Sequence, residues 1–350
     1  MQPYYQDSRA TIYNDDAINV YPLFDADTFD LLFLDPPYYK VKMECAWDRQ
    51  WDTAAAYLEW IGQHAEQWQR ILKPNGSLFV CASSRLSWQV QGALMECFNV
   101  LNAIVWEKEA GWHHKCKKDE LRSYTDPTET IFFCEHYGAD NIAKGEAGYI
   151  AKCDELRGFV FEPIRAYLET ERQRARISKK VIAQFLGVSE TMVSQHYFSA
   201  SQWGLPTEHA YKQIRECLNN HNHGGEYLRR EYEDLRREYE DLRRPFFATP
   251  EKPFTSVWHY ETVQSYDGKH PAEKPLAMLR DVIETTTRPG AVVGDFFMGS
   301  GTTLVAGAGL GRKVYGCDMS EHWCEWAKSR IEVPPLFAVE KEPIAEQLSF

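Results

Sequence analysis

The chain has 350 residues, 44% of them hydrophobic and 14% aromatic, with 39 Lys plus Arg against 51 Asp plus Glu and a formal charge of −12. This composition has ample apolar matter for a core and is long enough for one large domain with an insertion, or for two domains. Its acidity argues against a non-specific polyanion binder unless the basic residues are clustered.

The opening stretch MQPYYQDSRA has no apolar signal core, and no later run is long enough to span a bilayer. An intracellular protein of the cytoplasm, with no membrane partner, is therefore expected. FDLLFLD reads as a strand whose apolar run, Leu31 to Leu34, is buried. Pro36 and Pro37 stop that strand, remove two N–H donors and force Asp35 out of the helical region. The result is a stiff platform at a strand's carboxyl end, with one carboxylate, free carbonyls and the aromatic face of Tyr38. Stability gains little from such a platform, which marks it as a candidate site. AAAYLEWIGQHAEQWQRIL predicts a helix, KPNGSLFVCAS a turn and then a strand, and FNVLNAIVWEK and TETIFFCEHY two more strands. This βαβ rhythm predicts an open, mostly parallel sheet. Between the last two strands, WHHKCKKDELR is a basic loop whose Lys115, Lys117 and Lys118 either flank a nucleic acid or are simply solvated.

From about Gly148 to Arg244 the texture turns helical and charged. ISKKVIAQFLGVSETMVSQHY, Ile177 to Tyr197, reads as a helix-turn-helix: Ala183 is small where two helices cross, Gly187 permits the turn, Ser189 caps the second helix and Val193 packs back. The unit is similar to the phage-repressor type; a helical hairpin with no nucleic-acid role is the alternative. Arg172, Arg174, Arg176, Lys179 and Lys180 crowd its entry and would supply phosphate contacts, while Thr191, Ser194 and Gln195 lie on the expected reading face. A local repeat, YEDLRREYEDLRRP, then sets Tyr232, Leu235, Tyr239 and Leu242 on one apolar seam that Leu228 extends. It is too short for a sustained coiled coil. A solvated arm packed on the body is expected, with Glu233–Arg237 and Glu240–Arg244 pairs; a homodimer or DNA-straddling helix is the alternative.

From Pro245 the α/β pattern returns: AMLRDVIETTT is helical, GAVVGDFF a strand, GTTLVAGAGLG a helix and RKVYGCDM a strand. The chain thus divides into 1–147, an insertion at 148–244, and 245–350. The first strand of this last part ends at Asp295, a Gly-Ser-Gly turn spans Gly299, Ser300 and Gly301, and Thr302 opens the helix. Glycines here allow a tight turn and close approach of a ligand to the backbone. A second strand ends at Asp318, about twenty residues on, as suits a ribose-binding acid. A pyrophosphate would prefer a third glycine where Leu304 stands, and Asp295 would repel it. A carboxylate suits a cationic amino-acid head instead, which points to S-adenosylmethionine.

At this point the chain resembles a family, the DNA amino-methyltransferases that modify adenine N6 or cytosine N4. Asp35-Pro36-Pro37-Tyr38 matches its catalytic motif, DFFMGSGTT its cofactor motif, and HPAEKPLAML from His270 the block that usually precedes it. IYNDDAINV is similar to its N-G-D-x-L opening, with Asp16 at the acidic position. The order, catalytic motif before cofactor motif with an insertion between, is that of the β class. The insertion and SASQW more narrowly resemble orphan adenine methyltransferases carried by prophages, in a bacterial or phage-infected cell and associated with the nucleoid. The departures are small: DFF stands for D-P-F and H-P-A for H-P-T.

The resemblance implies an α/β, Rossmann-like S-adenosylmethionine-dependent methyltransferase fold, circularly permuted, with DNA as partner and S-adenosylhomocysteine as product. It also implies that Asp35, Pro36, Pro37 and Tyr38 are catalytic. The cofactor would lie against Asp16, Asp35, His270, Lys274, Pro275, Asp295, Phe296, Phe297, Gly299, Ser300, Gly301, Thr302 and Asp318. An Asp at the first motif position, rather than Ser, favours adenine in this family. No covalent step is needed, because C5 methylation of cytosine would call for a Pro-Cys dipeptide and none occurs. No metal is expected either. The nine scattered cysteines form no C-x-x-C pair and read as free thiols, and His113-His114 near Cys116, like His221 with His223, lack ligand spacing. Cytosine-N4 methylation, RNA methylation and a helix-turn-helix regulator that senses cofactor are the competing readings.

Overall fold

The computed structural model describes residues 1–41, 45–108, 119, 121–122, 124–136, 161–199, 203–221, 225–249 and 255–332. Lys115, Lys117, Lys118 and the 147/148 boundary lie outside these residues. So do the paired histidines 113 and 114, and His223.

A nine-stranded sheet organises the α/β part. Its strands are β1 (Tyr5–Gln6), β2 (Ala10–Asn14), β3 (Phe29–Leu34), β4 (Leu72–Ala82), β5 (Phe98–Glu107), β6 (Thr128–His136), β7 (Val257–His259), β8 (Val292–Asp295) and β9 (Lys313–Asp318). They are ordered β1-β2-β9-β8-β3-β4-β6-β5-β7. β2, β9, β8, β3 and β4 run parallel, while β6 is antiparallel to both β4 and β5. The apolar run of β3 has a plain cause: Leu32 and Leu34 face one layer of helices, and Leu31 and Phe33 face the other. A strand covered on both faces needs no polar alternation. Helix Ala54–Ile71 packs on the first face through Tyr57, Ile61 and Trp68. On the opposite face lie Leu276–Thr286 and Thr302–Gly309, through Leu279, Ile283 and Leu304, joined by Glu321–Glu332 through Cys324 and Ile331.

From β8 the chain crosses by Thr302–Gly309 to β9 on one side, whereas from β3 it crosses by Ala54–Ile71 to β4 on the other. β3 and β8 therefore flank the point where the winding reverses, and a crevice opens beyond their carboxyl ends. Asp35 and Asp318, each at or just after the end of a parallel strand, come to one rim, while Asp295 at the end of β8 is buried behind it. The turn expected at KPNG is instead part of β4: Phe29 pairs with Leu72 but Leu31 with Ser77, so the extra residues are taken up as an irregularity inside the strand.

The described part of the insertion has its own core. Ile164 and Leu168 of helix Glu162–Arg174, Ile182 and Ala183 of Lys179–Leu186, and Val193 pack with Ile214 and Leu218 of Glu208–Asn220. Ser178 and Ser189 cap their helices through their side chains, and Gly187 ends the first with φ of 69°. Helix Glu190–Val193 continues as a π-turn over Ser194–Phe198, which leaves Thr191 and Gln195 exposed and Ser194 half-buried. The heptad seam lies on this same core: Leu235 is fully buried, and Tyr232, Tyr239 and Leu242 pack against it. Its apolar side is thus covered within the chain. Neither expected i,i+4 pair forms. Arg237 pairs with Asp234, and the helix ends at Leu242, so Arg244 leaves it to meet Glu135 of β6 at 3.0 Å.

Candidate active site

Between the ends of β3, β8 and β9 is a cleft of about 320 Å³. The proline pair ends β3 there, as rigid backbone requires, and exposes Asp35, Pro36, Pro37 and Tyr38 to the cleft. Asp16 enters from the cap of the short helix Ala17–Val20, where it accepts from Ile18 N at 3.1 Å. Phe296, Phe297, Gly299, Asp318 and His270 complete the predicted residues that reach the cleft. Among the described lining residues, Asp15, Asp16, Asp35, Asp48 and Asp318 are acidic and none is Lys or Arg. Trp47, Trp60 and Trp323 add flat apolar walls. A cavity that is acidic and ring-lined fits a cationic nucleoside such as S-adenosylmethionine and disfavours a pyrophosphate.

The glycine turn is tightly built. Gly299 N donates to Asp318 Oδ2 at 3.0 Å, which ties the turn to the end of β9. A Cβ on Gly299 would lie 3.0 Å from the His270 ring, and one on Gly301 only 2.5 Å from Ala327 Cβ. Burial pushes the Asp318 carboxyl up, opposed by the N–H bonds from Ser320 and Gly299.

Several residues expected at the cofactor stand behind the cleft wall. Asp295, Ser300 and Thr302 are buried, and Pro275 starts helix Leu276–Thr286. Arg330 Nη1 donates to Ser300 O at 2.8 Å and to Thr302 Oγ1 at 3.1 Å, which occupies the turn's far side. Burial raises the Asp295 pKa from 3.8 to about 7, although Thr303 and Phe297 N donate to it. A folded pKa above the unfolded value means that Asp295 adds stability below about pH 4, and that this is lost as pH rises through about 7. Holding it ionised above pH 7 costs on the order of 4 kcal/mol. Asp295→Asn should therefore raise the melting temperature at pH 8 and flatten its decline between pH 5 and 8, as thermal melts across pH would record.

Lys274, expected at the cofactor, lies beside Asp35 and Glu129. It does not line the cleft; the turn before Pro275 points it inward, where its Nζ grips Asp35 Oδ2 and lies 3.1 Å from Glu129 Oε1. Tyr38 Oη donates to Asp35 Oδ1 at 2.8 Å and also contacts Glu129 Oε1. Lys108 reaches the other oxygen of Glu129 at 2.5 Å. Burial alone would raise the Glu129 carboxyl, but Lys274 and Lys108 outweigh it and hold it below the ordinary carboxylate value. Burial would lower the Lys274 pKa, and the two carboxylates instead hold it above the ordinary lysine value. Asp35, Cys81 and Glu129 place ligand atoms within 4.8 Å of one another. That grouping already contacts an ammonium, and burial pushes the Cys81 thiol well up, so the cation here is Lys274. Sequence reasoning missed Glu129, Lys108 and Asp48. Asp48, 1% exposed, accepts from Tyr38 N at 2.6 Å and so holds the platform's outer end. The one available signal was an acid at a buried strand position, in TETIFF.

Fold and cleft together define a Rossmann-like S-adenosylmethionine-dependent methyltransferase. Residues 29–329 match the family described as DNA methylase (N6_N4_Mtase), and the chain belongs to that family. It is a DNA methyltransferase that uses S-adenosylmethionine. Type II methyltransferase M2.DpnII of Streptococcus pneumoniae is 22% identical, covering 95% of this chain and 92% of its own length. DNA adenine methyltransferase YhdJ of Escherichia coli K12 is 20% identical over 95% of this chain and 85% of its own. Among solved structures, PvuII DNA methyltransferase (cytosine-N4-specific) aligns with 96% of this chain and 91% of its own at 14% identity, with a TM-score of 0.54, a likeness of fold. The cysteines described are free, and no described helix is long and apolar enough to cross a membrane.

Proposed function

We propose that this protein transfers a methyl group to the N6 amine of an adenine turned out of DNA. The observation that carries the reading is Asp35 on the cleft, beside the Pro36 carbonyl, with Tyr38 in the same wall. An exocyclic amine is a poor nucleophile because its lone pair is delocalised into the ring. The Asp35 carboxylate and Pro36 carbonyl each accept one amine hydrogen and favour the tetrahedral nitrogen needed for in-line attack; preorganised acceptors of this kind are typically the largest catalytic term. S-adenosylmethionine supplies an activated methyl group on sulfur. The base has to leave the duplex to reach such a pocket, and the Tyr38 ring offsets part of the unstacking. An Asp at the first motif position and the likeness to an enzyme named a DNA adenine methyltransferase both support N6 over N4.

The chain order, with the catalytic strand β3 ahead of the cofactor strand β8, reads as a circular permutation of the methyltransferase fold. The inserted helices act as a helix-turn-helix grip on DNA, with exposed Thr191 and Gln195 towards the bases. Arg176 and Lys180, also exposed, suit phosphates. Arg172 and Arg174 serve the insertion itself: Arg172 pairs with Glu169 and donates to Ile177 O, and Arg174 pairs with Glu171.

The test is methyl incorporation into unmethylated genomic DNA from labelled S-adenosylmethionine, followed by nucleoside analysis and single-molecule mapping. N6-methyladenine is the expected product. N4-methylcytosine alone would overturn the adenine assignment, and preferential methylation of single-stranded RNA would overturn DNA as the natural substrate. Methylated adenines confined to one short motif would mean that the insertion reads sequence; scattered ones would reduce it to a grip.

A further inference from the structure

The donors around Asp35 form an arrangement that amine recognition by itself does not require. Asp35 Oδ1, Tyr38 Oη, Glu129 Oε1, Lys274 Nζ and Asp35 Oδ2 form a closed ring of polar contacts. Tyr38 and Lys274, which touch Asp35, are both anchored on the same oxygen of Glu129, from β6, which is 3% exposed. Lys108, on its other oxygen, holds Glu129 from outside the ring. With Lys108 counted beside the ring's Asp35, Glu129 and Lys274, two carboxylates and two ammoniums sum to zero. Glu129 therefore remains a fixed anion without adding net charge beside a cationic methyl donor.

The hydroxyl of Tyr38 has a single hydrogen but meets two carboxylates. While the cleft is without base, that hydrogen can go to Asp35. An arriving amine has to donate to Asp35, so Tyr38 must surrender that acceptor. Glu129 offers it another without any movement of the ring. Lys274, meanwhile, holds Oδ2 and fixes the carboxylate's rotamer.

We propose that Glu129 is a positioning residue for methyl transfer: through Lys274 it holds the Asp35 carboxylate in place, and through Tyr38 it frees Asp35 Oδ1 for the target amine. The proposal rests on the amine-methyltransfer reading above and applies to an adenine or a cytosine amine alike, since each presents two hydrogens.

The experiment compares wild type, Glu129→Gln, Tyr38→Phe and the double variant in single-turnover methylation of a defined duplex. Cofactor binding is followed by calorimetry and folding by thermal melts. The product of the wild type is identified first, so an N4 product would overturn the adenine assignment while leaving this comparison intact. Glu129→Gln is expected to lower the transfer rate about 10- to 100-fold, with cofactor Kd and DNA Kd within about threefold. Because Tyr38 and Glu129 act as one unit, the double variant should be far less impaired than the product of the two single losses. A wild-type transfer rate in Glu129→Gln, or losses that multiply, would overturn the proposal. So would a loss carried wholly by DNA or cofactor affinity. Should the uncharged variant fail to fold, Glu129→Asp decides. It keeps the charge but draws the carboxylate back by one methylene, and an unchanged rate would be equally fatal.

Discussion

Asp35→Ala is expected to abolish methyl transfer, lowering the rate by at least about 10³-fold, while S-adenosylmethionine still binds within a few-fold of wild type. The size of the effect comes from where this acceptor sits, not from a shortage of acids in the cleft. Among the described residues lining the cleft, Asp35 is the acid on the rigid proline platform beside the Pro36 carbonyl. Without it the amine keeps its delocalised lone pair. Binding should survive because Asp16, Asp318 and the glycine turn lie on other strands and loops. Folding should survive as well, since Lys274 keeps Glu129 as partner. Single-turnover methylation and calorimetry on the same preparation separate these effects; a variant that retains full transfer would remove Asp35 from the mechanism. Asp35→Asn, which preserves shape but not charge, should retain more activity than alanine and far less than the natural residue.

The second large effect is expected at the glycine turn. Gly301 has φ of 74°, and a Cβ there would lie 2.5 Å from Ala327 Cβ and 3.1 Å from its Cα, on helix Glu321–Glu332. Neither neighbour is a flexible side-chain end that can swing aside. Gly301→Ala therefore combines left-handed strain with an overlap against backbone, together about 3 kcal/mol of lost stability. To relieve the overlap the turn must shift, and with it Gly299 N, which bonds to Asp318. Cofactor affinity should fall at least about tenfold, as calorimetry would measure. Gly309→Ala is the control: nothing lies within 4 Å of a Cβ there and the residue is helical, so it should be neutral or slightly stabilising. If both variants behave alike, the close approach at Gly301 is not what the turn requires.

Much of the active end was legible in the residues alone. Two prolines shortly after a run of large apolar residues can only stop a strand and stiffen the chain beyond it. Gly-Ser-Gly between an apolar strand and a helix can only be a tight turn. Both are statements about neighbouring residues, where steric rules act; Asp35 and Gly299 were read that way, and Asp318 from its place at a strand end about twenty residues on. The heptad seam was equally legible, since its period is local, but which surface would cover it was not. The seam residues, Leu228 included, turn inward onto the insertion's own core.

What the sequence determined by itself was the alternation of helices and strands, the platform and the glycine turn, all set by local sterics. Tertiary structure alone decided that β8 lies beside β3, that Arg244 reaches Glu135, and that Lys274 meets a carboxylate 239 residues away. The physical reason is one of range. Periodicity and turn chemistry act over a few residues, whereas the partner of a buried charge depends on which strands become neighbours. Burial makes that choice compulsory: inside this sheet Glu129 cannot remain ionised without Lys274 and Lys108, and nothing in TETIFF says where those two ammoniums will come from.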